Sequence, residues 1–192
     1  PLPPLTPHPQ LTQRWSTEST ANIWSMDLTN PASTWIKEEM STDLGVLPKG
    51  RGEVAGGKWG SYLVMYGGLS VEGNDVLAHS DCYLYNLETR KFSALGIANS
   101  GTTPTGRFSH AATVVGNHLI IHGGRSMRGG SWYLLDDTWA LDLNTQTWTQ
   151  LATPYDSKIV RSYHTLSATD NNDFYSFGGY RTFENSQGQK YA

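Results

Sequence analysis

Short apolar stretches separated by polar, glycine-containing turns recur along the chain, and none has the 3.6-residue period of an amphipathic helix. Three of these stretches end in a glycine pair, and an arginine precedes each pair by sixteen or seventeen residues. The pairs are Gly67 with Gly68, Gly123 with Gly124, and Gly178 with Gly179, and the arginines are Arg51, Arg107 and Arg161. Successive pairs lie about 55 residues apart, which indicates an internal repeat.

A second pattern occurs before the first glycine-ended stretch and again after the first and second ones. Large apolar residues alternate with small or polar ones at residues 24–28, 83–87 and 139–143, and the last two segments begin with Tyr83 and Trp139. After a polar turn, each segment is followed by another aromatic residue, which is Trp35, Phe92 or Trp148. Alternation with aromatic enrichment predicts half-buried β-strands.

One repeat therefore holds four predicted strands, which makes the predicted fold class all-β. The stretch that runs from Arg107-Phe-Ser-His110 through the glycine pair and Trp139 to Trp148 resembles a kelch repeat. Kelch repeats form the four-stranded antiparallel blades of a β-propeller. The resemblance covers about residues 21–192 and implies a kelch-type β-propeller.

The first repeat-like residues of the sequence correspond to the middle of a repeat and not to its first strand. Residues 21–38 supply the last two strands of a blade, two full units follow, and residues 161–179 supply the first two strands of another. This is too little to close a propeller, so we expect a partial one that is completed by another segment or chain. Three sources remain open for the other blades: the same parent chain, a second copy of this chain, or another polypeptide.

The repeated residues are expected to be structural. A glycine pair suits a strand end where neighbouring blades approach so closely that a side chain would collide. The repeated aromatic residues are expected to fill the gaps between twisted blades, and each arginine to bridge to a carboxylate or carbonyl of an adjacent blade. His110 and His164 also occupy a repeated position, where the first unit has Val54, so packing is the expected role of these histidines.

Residues 1–20 form a separate, proline-rich segment with five prolines among the first nine residues. Such a sequence favours an extended polyproline-like backbone, so we interpret it as an arm or linker. A role as a proline-rich ligand is the alternative.

Composition and charge narrow the classes of function. The chain has 192 residues, of which 38% are hydrophobic and 16% charged, with a formal net charge of −3. A negative net charge argues against a nucleic acid as the partner, and no apolar run is long enough to span a membrane. The single cysteine, Cys82, rules out an intrachain disulfide and favours a cytoplasmic location, with secretion as the alternative.

The predicted working surface is one face of the propeller, which we call the long-connection face. It holds the connections between the second and third strands of a blade, at residues 69–81 and 125–136, and those between successive blades, at residues 37–50, 94–106 and 150–160. These connections are expected to be long loops, whereas those on the opposite face are tight turns. Long loops on a rigid scaffold commonly carry binding residues.

Residues 125–136 contain the strongest candidates for partner binding. Arginine, tryptophan and tyrosine are enriched at interface hot spots, and the candidates here are Arg125, Met127, Arg128, Trp132 and Tyr133. Alternatively, Trp132 and Tyr133 begin the third strand of the blade and pack inward. No Asp or Glu occurs from Thr89 to Leu135, so an acidic peptide or phosphopeptide would suit a basic surface there, unless the cations are scattered over separate blade faces.

The sequence thus favours a non-catalytic scaffold that binds a protein or peptide, with no cofactor expected. An enzyme that processes a small molecule or depends on a metal is the first alternative. Asp75 and His79, with Glu72 nearby, resemble the iron site of plant kelch specifier proteins, although Val71 stands where that pattern has Glu. A secreted kelch module that binds glycan or matrix is the second alternative.

Overall fold

A computed structural model describes most of the kelch-like region. The described residues are 22–42, 47–72, 75–96, 102–152, 160–181, 183–184 and 190–191. The proline-rich segment at residues 1–20 lies outside them, as do parts of the three connections between successive blades. All regular elements in the described part are β-strands, as the sequence predicts.

Four consecutive strands form each of two complete blades, in which the first strand is innermost. The first blade consists of β4 (Ala55–Trp59), β5 (Tyr62–Tyr66), β8 (Cys82–Asn86) and β9 (Lys91–Ala94). The second blade consists of β10 (Ala111–Val115), β11 (His118–His122), β14 (Thr138–Asp142) and β15 (Thr147–Leu151). Every neighbouring pair among these four strands is antiparallel in both blades, which confirms the prediction of four-stranded antiparallel blades.

A two-stranded sheet precedes the first blade, and another follows the second. The leading half-blade contains β1 (Trp24–Ser25) and β2 (Ile36–Lys37), and the trailing half-blade contains β16 (Ser162–Ala168) and β17 (Phe174–Tyr180). By repeat position, the leading half-blade corresponds to the third and fourth strands of a blade and the trailing one to the first and second. These are the half-blades that the repeat phase predicts.

The connections at residues 69–81 and 125–136 are not loops, so this part of the prediction is wrong. They are β-hairpins: the first hairpin is β6 (Leu69–Glu72) with β7 (Asp75–Ala78), and the second is β12 (Arg125–Arg128) with β13 (Ser131–Leu134). At the tip of the second hairpin, Gly129 and Gly130 have φ of 57° and 78°. Positive φ at both central residues is what a type I′ turn needs, so this glycine pair favours a tight hairpin.

Three further short strands lie outside the predicted pattern. β3 (Ser41–Thr42) runs parallel to β9 and adds a fifth strand to the first blade, within the expected loop at residues 37–50. β18 (Phe183–Glu184) pairs with β19 (Lys190–Tyr191). The described residues contain no helix that is long and apolar enough to cross a membrane.

The innermost strands of successive sheets lie side by side. The Ser109 N–H donates to the carbonyl of Glu53 at 3.3 Å, and the Tyr163 N–H donates to the carbonyl of Ser109 at 2.9 Å. All three residues stand two positions after a repeat arginine and have positive φ, between 52° and 57°. These main-chain hydrogen bonds join β4, β10 and β16 around one side of a common axis, which is the radial arrangement of propeller blades.

The core lies between the two complete blades. Leu119, Ile121 and Leu141 of the second blade are fully buried with Val64 of the first. An aromatic residue completes this interface, because the Trp148 ring of the second blade packs edge-on against Tyr66 of the first, with 5.2 Å between ring centroids. Close packing of these complementary apolar surfaces holds one twisted sheet against the next.

Candidate protein-interaction face

Each repeat arginine donates a hydrogen bond to the carbonyl of the first glycine of the pair in its own unit. The Arg107 guanidinium is fully buried and donates to the Gly123 carbonyl at 3.1 Å and to both carboxylate oxygens of Asp137 at 2.7 and 2.9 Å. Arg51 makes the same contacts with the Gly67 carbonyl and with Asp81. Gly123 and Asp137 belong to the blade that Arg107 begins, so the expected bridge to an adjacent blade is wrong for these side chains.

The ion pair changes the acidity of its carboxylate. Burial by itself would raise the pKa of Asp137, but the hydrogen bonds and charge of Arg107 outweigh it and hold this pKa below the ordinary value. The pKa of Asp81 is lowered in the same way by Arg51. Both carboxylates therefore stay ionised at neutral pH and keep their ion pairs with Arg51 and Arg107.

The glycine pairs make the contact between blades that was expected of the arginine side chains. The Gly68 N–H donates to the main-chain carbonyl of Arg107 at 2.8 Å, and Gly124 bonds Arg161 in the same way at 2.9 Å. Gly67 has φ of 69°, and a Cβ there would lie 2.5 Å from the Arg107 carbonyl oxygen. A side chain would therefore separate the blades, which explains why glycine occupies this position.

The other repeat residues are placed differently from one blade to the next. Trp139, Trp148 and Phe92 are buried, and Tyr83 is half-buried beside the Arg51 guanidinium. Trp35 of the leading half-blade is 63% exposed. In the trailing half-blade, Arg161 donates to the Gly178 carbonyl at 3.3 Å, and Gly179 approaches the Ser162 carbonyl closely.

The repeated histidines lie between blades. His110 packs edge-on against Tyr66 at 5.7 Å between ring centroids, and His164 packs against His122 at 5.2 Å. Within the described residues neither ring nitrogen of His110 or His164 has a hydrogen-bond partner. Burial, reinforced by the charge of Arg107, lowers the pKa of His110 to about 3, and burial beside His122 lowers that of His164 to about 4. Both side chains are therefore neutral packing groups at physiological pH.

The second hairpin carries the candidate binding residues on its two strands. The Arg125 guanidinium lies between two aromatic rings, 4.4 Å from the centroid of Trp132 and 4.8 Å from that of Tyr163. Its Nε donates to Ser162 Oγ at 3.3 Å. These two ring contacts hold the guanidinium in place, and Nε is the only side-chain nitrogen of Arg125 with a hydrogen bond to another described residue.

The remaining candidates lie on the same hairpin. Arg128 lies 5.3 Å from the ring centroid of Tyr133, and the half-buried Met127 stands directly opposite Trp132 in the strand register. Trp132 is 47% exposed and belongs to β13, while the third strand of the blade begins only at Thr138. The alternative in which Trp132 and Tyr133 begin that third strand is therefore wrong.

Two further aromatic residues, which were not predicted from the sequence, complete this surface. Tyr163 of the trailing half-blade contacts Arg125, and its ring packs edge-on against Tyr180 at 6.1 Å. Tyr163 stands two positions after a repeat arginine, where the earlier units have Glu53 and Ser109. An aromatic residue at this repeat position was the signal that the sequence offered. The proximity of Tyr163 to the second hairpin, however, depends on how neighbouring blades pack. We call Arg125, Trp132, Tyr163 and Tyr180 the arginine–aromatic cluster.

The first hairpin carries the candidate metal ligands. His79 Nε2 lies 2.8 Å from Ser70 Oγ, and Asp75 is exposed at the start of β7. Burial, together with the charge of Arg51, lowers the pKa of His79. In the part of the chain that the structure describes, no three or more His, Cys, Asp or Glu side chains lie together as a metal site would need. A metal-dependent activity at Asp75 and His79 stays a prediction.

Comparison with known proteins agrees with the geometry of the blades. The family model for the KLHDC2/KLHL20/DRC7 Kelch-repeats domain matches residues 13–190. This chain belongs to the kelch-repeat family. Membership accounts for the all-β fold and the four-stranded blades, and it identifies the architecture as that of a β-propeller.

Several curated kelch proteins share part of this sequence. Kelch domain-containing protein 1 of Mus musculus is 30% identical over 102 residues, which cover 53% of this chain and 24% of that protein. Tip elongation aberrant protein 1 of Schizosaccharomyces pombe is 26% identical over 163 residues, or 82% of this chain and 13% of that protein. Host cell factor 2 of Homo sapiens is 31% identical over 135 residues, which cover 64% of this chain and 16% of that protein. The chain thus spans about a quarter or less of these relatives.

Proposed function

We propose that this kelch chain is a non-catalytic protein-interaction module that binds a peptide segment of another protein on its long-connection face. The second hairpin and the adjoining trailing half-blade supply the contact residues. Propeller faces of this kind combine a rigid scaffold with varied connections, and a concentration of Arg, Trp and Tyr is typical of interface hot spots. The proposed contact residues are Arg125, Met127, Arg128, Trp132, Tyr133, Tyr163 and Tyr180.

The observation that carries this proposal is the state of the Arg125 guanidinium. The buried repeat arginines Arg51 and Arg107 each form an ion pair with an aspartate of their own blade. Arg125, by contrast, is fixed by two aromatic rings and by Ser162, and it has no ion pair among the described residues. A pre-oriented guanidinium with a free edge suits a carboxylate or phosphate, because two parallel hydrogen bonds can form.

The surroundings of Arg125 indicate the kind of peptide. Arg128 adds a second positive charge on the same hairpin, and Trp132 and Tyr180 offer exposed aromatic surface. We therefore propose a ligand in which an acidic or phosphorylated residue is flanked by an apolar side chain. The acidic group would bind the edge of Arg125, and the apolar side chain would pack on the rings.

A peptide library displayed on phage tests this proposal. Selection on the whole chain should yield acidic peptides, and Arg125→Ala or Trp132→Ala should weaken a selected peptide by about tenfold or more in fluorescence polarisation. Lys58→Ala is the matched control, since it removes an exposed positive charge on β4 and should leave binding unchanged.

Two results would contradict the proposal. One is a selection that yields no peptide sensitive to either variant. The other is a sharp fall in melting temperature for Arg125→Ala, which would make the cluster part of the structural core and not a binding surface.

A further inference from the structure

The tip of the second hairpin presents an exposed serine close to positive charge. Ser131 is the first residue of β13, is exposed, and directly follows the Gly129-Gly130 turn. Arg128 stands three residues before Ser131, and Arg125 stands six residues before it. Arginine-directed serine kinases hold the residue three positions before their target serine in an acidic pocket, so this spacing suits a kinase of that class.

A second serine shows what distinguishes Ser131. Ser61 lies between β4 and β5 and has a positive residue, Lys58, at the same spacing. Its Oγ, however, donates to a carboxylate oxygen of Glu88 at 2.7 Å, so a phosphate there would meet a like charge. The segment around Ser131 has no Asp or Glu from Thr89 to Leu135. Ser131 therefore does not meet, within its own segment, the repulsion expected at Ser61.

The second hairpin is also short enough to open. A kinase binds its substrate as an extended segment, so the residues around Ser131 must leave their strand pairing during the reaction. Each strand of the hairpin has four residues, and the turn consists of two glycines. Two-stranded elements of this size are marginally stable and open locally at low free energy.

The strand register places a partner for a phosphate beside Ser131. Arg128 stands directly opposite Ser131, and residues in such a pair point to the same face with Cβ atoms about 4.5–5.5 Å apart. Tyr133 lies on that face too, and its ring centroid is 5.3 Å from the Arg128 guanidinium. A phosphate on Ser131 is therefore within reach of this guanidinium, which can donate two parallel hydrogen bonds to it.

The first hairpin shows that the repeat accommodates negative charge at this position. Asp75 is the repeat equivalent of Ser131, and Glu72 is the equivalent of Arg128. Asp75 and Glu72 stand directly opposite each other, as Ser131 and Arg128 do. An anionic group at the first residue of the outer hairpin strand is thus compatible with the hairpin, so a phosphate on Ser131 leaves the fold intact.

We propose that Ser131 is a phosphorylation site for an arginine-directed serine kinase, and that its phosphate binds Arg128 and weakens the binding of acidic peptides to the second hairpin. The effect on peptide binding rests on the proposed function, whereas the modification itself does not. In the transfer, Ser131 Oγ forms a bond to the γ-phosphorus of ATP as that phosphorus loses its bond to the bridging oxygen. The hydroxyl proton passes to the catalytic base of the kinase, and ADP leaves.

Phosphorylation removes the positive charge of the second hairpin. Residues 125–134 contain two arginines and no acidic residue, which gives a charge of +2. A phosphoserine carries about −1.5 to −2 at pH 7, so the sum falls to about zero. An acidic peptide then loses the attraction of Arg128 and meets a nearby anion. Its dissociation constant should rise by about tenfold or more.

Phosphorylation of the whole chain in solution tests the site. The chain is incubated with ATP and the catalytic subunit of cyclic-AMP-dependent protein kinase, an arginine-directed serine kinase, and the modified residue is mapped by mass spectrometry. We expect a phosphate on Ser131. Arg128→Ala should slow its addition by about tenfold or more, because the acidic pocket of the kinase loses its partner. Lys58→Ala, which removes an exposed positive charge from β4, should leave the rate unchanged.

Two measurements on the phosphorylated chain test what the phosphate does. By phosphorus NMR, the guanidinium of Arg128 should hold the pKa of the phosphate lower in the folded chain than in the same chain unfolded by urea. By fluorescence polarisation, the phosphorylated chain should bind a selected acidic peptide about tenfold or more weakly than the unmodified chain. A Ser131→Ala chain treated with the same kinase should bind that peptide as before.

Four results would overturn the inference. They are no phosphate on Ser131, a rate of phosphorylation that Arg128→Ala leaves unchanged, equal phosphate pKa values in the folded and unfolded chain, and peptide binding that phosphorylation does not weaken. A peptide library that yields no acidic ligand would contradict the proposed function alone, because mass spectrometry and NMR still decide whether Ser131 is modified and whether its phosphate contacts Arg128.

Discussion

Single residues control how the blades approach one another, and the glycine pair is the clearest case. The backbone at Gly67 has positive φ, and the Arg107 carbonyl oxygen occupies the space where a side chain would start. Gly116 has a similar φ of 57° in the turn between β10 and β11, but no atom lies within 4 Å of the site of its missing Cβ. A comparison of the two positions therefore distinguishes the cost of backbone strain from the cost of a steric collision.

Alanine at these two glycines should give different losses of stability. Gly116→Ala should lower the free energy of unfolding by about 1 kcal/mol, since only the left-handed conformation is strained. Gly67→Ala should lower it by about 2–3 kcal/mol, because the blades must also move apart. Urea denaturation of the two variants measures the difference. Equal losses would contradict the close approach at Gly67.

The buried histidines make stability dependent on pH. The pKa of His110 in the folded chain is about 3 and that of His164 about 4, both below the ordinary value of 6.5. The unfolded chain therefore binds more protons below pH 6.5, and stability falls as the pH falls through that range. One pKa unit corresponds to about 1.4 kcal/mol, so we expect each of the two histidines to account for a loss of about 3 kcal/mol by pH 4.

The variant with His110→Val and His164→Val isolates this effect. Valine is the residue that stands at the equivalent position of the first unit, as Val54. Thermal unfolding from pH 7 to pH 4 should show a shallower fall in melting temperature for the variant than for the unmodified chain. Parallel curves would mean that other groups set the acid sensitivity.

At the scale of elements, the second hairpin depends on its glycine turn. Gly129 and Gly130 both have positive φ, which Asn-Gly also tolerates and Ala-Ala does not. We expect the Ala-Ala variant to speed hydrogen exchange of the amides in β12 and β13 by about thirtyfold or more, because each of the two left-handed alanines costs about 1–2 kcal/mol. Exchange in an Asn-Gly variant should match that of the unmodified chain. Unchanged exchange with Ala-Ala would contradict the type I′ turn.

The strands of the blades could be predicted from the sequence because their pattern is local. Alternation at residues 83–87 and 139–143 and the run before Gly123 each mark one strand without reference to the rest of the chain. The first hairpin was missed for a physical reason. Its strands, at residues 69–72 and 75–78, are short, and their pairing is formed in a connection whose length alone had suggested a loop.

At the scale of the whole molecule, the repeat period predicted the sheets of the two blades and two half-blades but not every contact between them. The partners of Arg107 are an example. Its guanidinium binds within its own blade, and its main-chain carbonyl binds the next glycine pair, so only the fold distinguishes the two roles. The contact between Arg125 and Tyr163 joins neighbouring sheets and likewise has no signal in the local sequence.

The row formed by Glu53, Ser109 and Tyr163 has a consequence for evolution and design. Main-chain hydrogen bonds join these residues in sequence, and a side-chain hydrogen bond from Ser109 Oγ to Glu53 Oε2 adds to the first of them. Their shared left-handed conformation accommodates different side chains in successive units. Diversity at this position can therefore alter the side chains displayed beside the axis while the scaffold is retained. A library randomised at these codons would be a natural starting point for giving the chain new specificities.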